Sequence, residues 1–257
     1  MIMGIVQMDI EWEDIYRNMN KIESFTEEAQ EKNVDLLLFP EMSLTGFTMN
    51  IDKHNLNEKE IIKWLSKIAI KYNINIGLGF GTVLDEKGLN EYVIISNEGI
   101  LLGNYRKIHP FSYSGEDKKY YKGNDIISCS VGDIKLTPFI CYDLRFPEIF
   151  QIASKQSNLI IVAANWPQER ENHWITLLKA RAIENQCYIA GINRIGGGGG
   201  LNYNGSSMIV NLDGNVLNDI SNDERIIVAE ISKDKVDEIR GKFNLKKDRR
   251  EKLYRIY

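Results

Sequence analysis

Three polar residues of reactive type stand at the ends of apolar runs. Glu41 follows Leu36-Leu37-Leu38-Phe39-Pro40, and Lys107 lies in Tyr105-Arg106-Lys107-Ile108-His109. Cys141 ends Thr137-Pro138-Phe139-Ile140 and leads into Tyr142-Asp143-Leu144-Arg145-Phe146-Pro147-Glu148. Connections at strand ends are where open α/β sheets carry their sites. A strand that runs into a cysteine and then a helix start forms an elbow. Such an elbow presents a nucleophile and aims backbone N–H groups at the same point. Taken singly, Glu41 reads equally as a helix cap or a solvated turn residue, Lys107 as part of a charged loop, and Cys141 as a buried core cysteine.

The elements that must position these residues follow from hydrophobic periodicity. Strands are expected at Met3 to Met8, Val34 to Phe39, Ile74 to Leu84, Ile134 to Cys141, Leu159 to Ala164 and Tyr188 to Asn193. Further strands are expected at Ser207 to Asn211, Val216 to Ile220 and Arg225 to Ile231, with Asp213-Gly214 as a hairpin turn. Asn90 to Tyr105 reads as a hairpin turning at Asn97-Glu98-Gly99. Apolar residues at helical spacing predict helices over Ile15 to Lys32, Glu58 to Tyr72, Phe146 to Lys155 and Trp174 to Asn185. The glycines of Ile74 to Leu84 suggest close backbone approach. The run Gly196 to Gly200 reads as a flexible loop, because no Lys and Ser follow it in a phosphate-binding pattern. Crossovers mixed with hairpins point to two sheets with helices on their outer faces.

Composition narrows the function classes. The 257 residues are 43% hydrophobic and 26% charged, with a formal net charge of -4. That balance suggests no nucleic-acid partner. The N-terminal run Met1 to Asp9 reads as a buried strand and not as a signal peptide, and no apolar stretch is long enough to span a bilayer. Cys129, Cys141 and Cys187 form no CxxC pair, which argues for free thiols and a cytoplasmic location. With three histidines and none at i, i+4, no metal site is expected. His109 is given no proton transfer, and His173 is expected to pack between helices. Cys129 and Cys187 read as inert strand cysteines.

Together, Glu41, Lys107 and Cys141 resemble the Glu-Lys-Cys constellation of the nitrilase superfamily of carbon–nitrogen hydrolases. The resemblance runs through "GIVQMDIEWEDIYRN", "LLLFPEMSLTGF", "YRKIHPF", "FICYDLRFPE", "ANWPQERENHWITLLKARAIENQCYIAGINRIG" and "NGSSMIVNLDGNV". Within the superfamily the chain is most similar to the omega-amidase branch. True nitrilases typically carry Trp-Glu after the cysteine, where this chain has Tyr142-Asp143. The resemblance implies a four-layer α-β-β-α sandwich, one domain over residues 1–257, no cofactor, and a homodimer acting on a small-molecule amide. It implies that Cys141 attacks the amide carbon and that Glu41 moves the protons. Lys107 and the backbone N–H of Tyr142 would hold the oxyanion. Glu116, or failing it Asp117, would be the second glutamate that orients the lysine.

Arg145 lies four residues after Cys141 and is expected in the first turn of the helix leaving the elbow. It reads either as a structural pair with Glu148 or Asp143 or as a bidentate clamp on a substrate carboxylate. The resemblance supports the clamp, with Arg170 assisting and Trp166 and Phe47 walling a short pocket. The expected reaction is hydrolysis of a short dicarboxylic monoamide, such as 2-oxoglutaramate, through a cysteine thioester. The alternatives are a carbamoylase or nitrilase of the same superfamily, a non-catalytic binding protein, or a redox-sensing cysteine protein.

Overall fold

The computed structural model describes residues 1–254. The chain runs β1 (Ile2–Gln7), α1 (Ile15–Glu31), β2 (Leu36–Leu38), α2 (Glu58–Tyr72), β3 (Asn75–Leu84), β4 (Lys87–Ile95) and β5 (Leu101–Arg106). It continues with α3 (Glu116–Lys119), β6 (Cys129–Val131), β7 (Ile134–Ile140), α4 (Pro147–Ala153), β8 (Leu159–Ala164), α5 (Glu171–Asn185) and β9 (Tyr188–Asn193). It closes with β10 (Ile195–Gly198), β11 (Leu201–Asn204), β12 (Met208–Val210), β13 (Arg225–Glu230), α6 (Lys233–Lys242) and α7 (Glu251–Tyr254).

The strands build one sheet in the order β13-β1-β2-β3-β4-β5 and a second in the order β12-β9-β8-β7-β6. Each sheet has three parallel strands at its centre, β1-β2-β3 in one and β9-β8-β7 in the other, flanked by antiparallel neighbours. Side-chain alternation stacks the layers. In the first sheet, Met3, Ile5, Leu36, Leu38, Tyr92 and Ile94 face a core shared with Leu136, Ile161 and Ile192 of the second. The intervening Val6, Leu37, Phe39 and Val93 face α1 and α2 through Ile22, Ala29, Leu65 and Ala69. The far face of the second sheet is covered by α4 and α5, through Phe150, Leu178 and Ala182. The result is the expected α-β-β-α sandwich. Among the described residues no helix is long and apolar enough to cross a membrane.

The helices stop and start where side chains satisfy their ends. Asp14 caps α1 by accepting from the backbone N–H of Arg17 at 3.1 Å. Asn57 and Glu60 form a capping box on α2, and Asn73 ends it in the left-handed conformation. Arg181 of α5 is buried and donates to the carbonyl of Leu144 at 2.8 and 3.2 Å, which ties the residues after Cys141 to that helix.

Several expectations are corrected. Val216 to Ile220 is not a strand: one antiparallel bridge, Val210 to Val216, is all that forms, and Asn218 is turned back to serve the backbone of Ile209. Gly196 to Gly200 is not a loose loop but most of β10 and the turn into β11. Cys187 lies in the bend before β9, fully buried, while Cys129 is in β6. His173 does not pack between helices; it is exposed on α5, with its Nδ1 3.2 Å from Arg145 Nη2. Arg145 sits in a 3-10 turn, Cys141–Arg145, that precedes α4.

Candidate active site

Glu41, Lys107, Glu116 and Cys141 are drawn together at the ends of the two sheets. Glu41 lies in the turn leaving β2, folded back across β3. That fold needs Gly79, where a Cβ would stand 2.5 Å from the Pro40 carbonyl and 2.7 Å from Glu41 Cα. Ser43 N–H donates to the Gly79 carbonyl at 2.8 Å and holds the turn there. The glycines of this strand thus do serve a close approach.

Lys107 leaves β5 and is fully buried. Its Nζ donates to Glu41 Oε1 at 2.9 Å and to Glu116 Oε1 and Oε2 at 3.1 and 2.9 Å. Burial works against its charge, but the Glu116 and Glu41 carboxylates outweigh burial and hold its pKa above the usual lysine value. Burial pushes the Glu116 carboxyl up, the Lys107 cation opposes that, and Glu41 adds to it. Glu116, not Asp117, is therefore the second glutamate against the lysine.

Two asparagines that the sequence reading passed over hold these carboxylates. Asn90 Nδ2 donates to Glu41 Oε1 at 2.8 Å and to Glu116 Oε1 at 3.0 Å. Asn165, just past β8, donates its backbone N–H to Glu41 Oε2 at 2.9 Å and its Nδ2 to the Glu41 carbonyl at 2.6 Å. Glu41 is thereby held at both oxygens.

Cys141 occupies a left-handed backbone conformation, φ +47°. A non-glycine residue there is strained and is held by its surroundings. Asp143 does much of the holding. Its fully buried carboxylate accepts from Ile140 N–H at 3.0 Å, Tyr105 OH at 2.7 Å and His109 N–H at 3.0 Å. His109 Nδ1 lies 2.8 Å from the same carboxylate, so His109 and Asp143 shape the elbow and do not meet Lys107. Cys141 Sγ lies 3.9 Å from the Asn165 carbonyl. Burial, then the Glu41 carboxylate, push its thiol pKa well above the usual value, with Lys107 pulling the other way.

Cys141, Tyr142 and Lys107 open onto one pocket of about 480 Å³, counting space open to solvent. Phe47, Arg145, Trp166 and Arg170, the other residues singled out from sequence, line the same pocket. Phe47 lies against Lys107 Nζ, 5.1 Å from ring centroid to nitrogen. The Arg145 guanidinium rests 4.8 Å over Trp166 and that of Arg170 5.6 Å from the Phe111 ring. Neither arginine pairs with a carboxylate among the described residues, so the structural pair of Arg145 with Glu148 or Asp143 does not form. Leu201, Tyr203 and Phe111 complete the walls and were missed, because no local pattern marks them. Among the described residues no group of three or more His, Cys, Asp or Glu side chains is arranged to hold a metal ion.

A buried acid, a lysine beside it, and a cysteine on a strained elbow form a thiol site equipped for acyl transfer. The carbon-nitrogen hydrolase family model matches residues 3–241. The chain belongs to the carbon–nitrogen hydrolase family, enzymes that hydrolyse carbon–nitrogen bonds in amides. It is 34% identical over 213 residues to the omega-amidase YafV of Yersinia enterocolitica, covering 82% of each chain. It is 33% identical to the 2-oxoglutaramate amidase of Bacillus subtilis, covering 97% of each. Among solved structures, a CN-hydrolase superfamily protein of Xanthomonas campestris, with an arsenic adduct in its active site, superposes with a TM-score of 0.88 at 28% identity over 94% of both chains.

Proposed function

We propose that the enzyme hydrolyses the amide of a short acid that carries a carboxylate at its other end, in the manner of an omega-amidase. The observation that carries this reading is the pair of guanidiniums, Arg145 and Arg170, which have no carboxylate partner among the described residues and line the same pocket as Cys141 and Lys107. A substrate carboxylate would supply the missing partner. The relatives named above as omega-amidase and 2-oxoglutaramate amidase support the same substrate class.

The reaction follows from the geometry. At rest the site holds two carboxylates and one ammonium, and a thiolate would add a second uncompensated negative charge in a buried place. Cys141 therefore rests as a thiol, consistent with its raised pKa. Glu41 takes the thiol proton as sulfur attacks the amide carbon. Lys107 Nζ and the Tyr142 N–H hold the oxyanion that develops. Glu41 returns the proton to the nitrogen, ammonia leaves, and a thioester remains on Cys141. Glu41 then takes a proton from water, whose oxygen attacks the thioester carbon; the C–S bond breaks, Glu41 returns the proton to sulfur, and the acid leaves, losing its own proton to solvent. Glu116 and Asn90 position Lys107 and Glu41 throughout. The reading treats residues 1–257 as one domain, and the protein as a cytoplasmic homodimer. Half-exposed Ile152 of α4 and Ile183 of α5 offer apolar surface for a second copy.

The test is a specificity ratio. Turnover of succinamate or 2-oxoglutaramate is compared with that of butyramide, in wild type and Arg145→Met. Loss of a charge-assisted pair costs about 1.5–3 kcal/mol, or roughly 10–150-fold in kcat/KM, for the charged amides alone. An unchanged ratio would show that Arg145 holds no substrate carboxylate. Release of carbon dioxide with ammonia, or consumption of a nitrile, would favour the carbamoylase or nitrilase alternative.

A further inference from the structure

The run Gly196-Gly197-Gly198-Gly199-Gly200 is the most biased segment of the chain, and its packing gives it a use. β10 and β11 pair with Gly196 opposite Tyr203 and Gly198 opposite Leu201. Gly199 and Gly200 make the turn at φ +58° and +78°, a geometry that favours glycine at both positions. A Cβ on Gly198 would meet the Trp12 ring at 2.5 Å, and one on Gly199 at 2.7 Å. The glycines let the hairpin lie directly on Trp12.

Beneath the hairpin is Arg194, whose side chain is fully buried. It donates from Nε to the Ile195 carbonyl at 3.0 Å, and from Nη2 to the Gly197 and Ile10 carbonyls, both at 2.9 Å. Its guanidinium also stacks 4.7 Å from the Tyr203 ring. One cation thus anchors β10 through its carbonyls and β11 through its aromatic ring. Residues two apart on a strand share a face, so Leu201 and Tyr203 face the same way. Both line the pocket that holds Cys141. On the other face Asn204 reaches toward Glu171 Oε2 at 3.4 Å. Tyr203 is 4% exposed, whereas Leu201 is 39% exposed, a large apolar side chain left at the pocket mouth.

We propose that β11 is the specificity wall of the site: Leu201 sets the length of acyl chain accepted, and Tyr203, braced by Arg194, fixes the line along which that chain lies. The inference rests on the amidase reading of the pocket given above. An apolar rim residue opposite a reacting centre discriminates by fit, and one methylene gained or lost in such a pocket changes kcat/KM by roughly 10–200-fold. The rigid backing matters, since a wall that yields cannot reject a longer chain.

The experiment measures kcat/KM for wild type, Leu201→Ala and Leu201→Phe on straight-chain monoamides of four, five and six carbons that end in a carboxylate. Neutral straight-chain amides of the same lengths form a second series. Leu201→Ala is expected to raise the ratio of the six-carbon to the four-carbon substrate about 10-fold or more. Leu201→Phe is expected to lower it. Because Leu201 is exposed, both variants should melt like wild type. Ratios within about twofold of wild type in both series would overturn the proposal. A shift seen with neutral amides, in a protein that ignores the charged series, would uphold the wall and reject the carboxylate reading. Wild type inactive on both series would reject the amidase reading and the wall with it.

Discussion

His54 offers a perturbation whose size follows from its surroundings. The side chain is buried, its ring against Gly81, where a Cβ would come within 2.3 Å of it. Its Nε2 lies 2.7 Å from Tyr120 OH, and that hydroxyl donates onward to the Thr48 carbonyl at 2.6 Å. The hydroxyl has one proton, so His54 must donate its own from Nε2, with Nδ1 facing Thr45 Oγ1 at 3.5 Å. Burial lowers its pKa from 6.5 to about 4, opposed slightly by Glu13. The folded state thus resists a proton that the unfolded chain accepts below pH 6.5. The stabilisation is complete above that pH and is lost as pH falls from 6.5 toward 4. Between pH 7.5 and pH 5 the linkage amounts to about 2 kcal/mol. The cluster also ties the segment bearing Phe47 to the turn bearing Glu116, since Tyr120 N–H donates to the Glu116 carbonyl at 2.8 Å. Urea unfolding at pH 7.5, 6 and 5 should therefore show wild type losing about 2 kcal/mol more than His54→Gln, whose side chain does not titrate. Parallel pH dependence in the two proteins would refute the argument.

The remaining expectations concern the proposed chemistry and assembly. Cys141→Ala should abolish ammonia release with a nearly unchanged melt, and wild type quenched during turnover should show an acyl adduct on the Cys141 peptide by mass spectrometry; residual turnover in the variant would remove Cys141 from the nucleophile's role. Glu41→Gln should lower kcat by ~10²–10⁴, read by single-turnover ammonia release, with retention of more than about half the activity counting against a proton-transfer role. Lys107→Met should lower kcat comparably. It should also destabilise the fold by about 3–5 kcal/mol in urea, because it leaves Glu41 and Glu116 facing each other in a buried place. Light scattering at micromolar concentration should give the mass of two chains, and the mass of one would contradict the homodimer.

The parts of the site that were legible in the sequence are those written locally. Leu36 to Phe39 is an uninterrupted apolar run because both faces of β2 are buried, and a polar residue straight after such a run has few places to go but the sheet's end. The same logic exposes Cys141 after β7. What stayed hidden is written at long range. Asn90 and Asn165 reach Glu41 from 49 and 124 residues away, and an asparagine inside or just after a strand carries no mark of the carboxylate it will meet. Asp143 was visible as a mark of the branch and as a neighbour of Arg145 but not as the anchor of the elbow, since Tyr105 and His109, which consume its oxygens, come from the other sheet's last strand and the loop after it. Lys107 reads as a loop charge because burial of an ammonium depends on two carboxylates brought by β2 and α3. Gly196 to Gly200 reads as slack because the ring that leaves no room for a Cβ on Gly198 and Gly199 belongs to Trp12, near the other end of the chain. Local composition reports entropy, but whether that entropy is spent depends on contacts formed across the fold. In this protein those contacts fall on the charges around Cys141 and on the hairpin at the mouth of its pocket, so the features hardest to read are the ones on which the proposed chemistry and substrate choice rest.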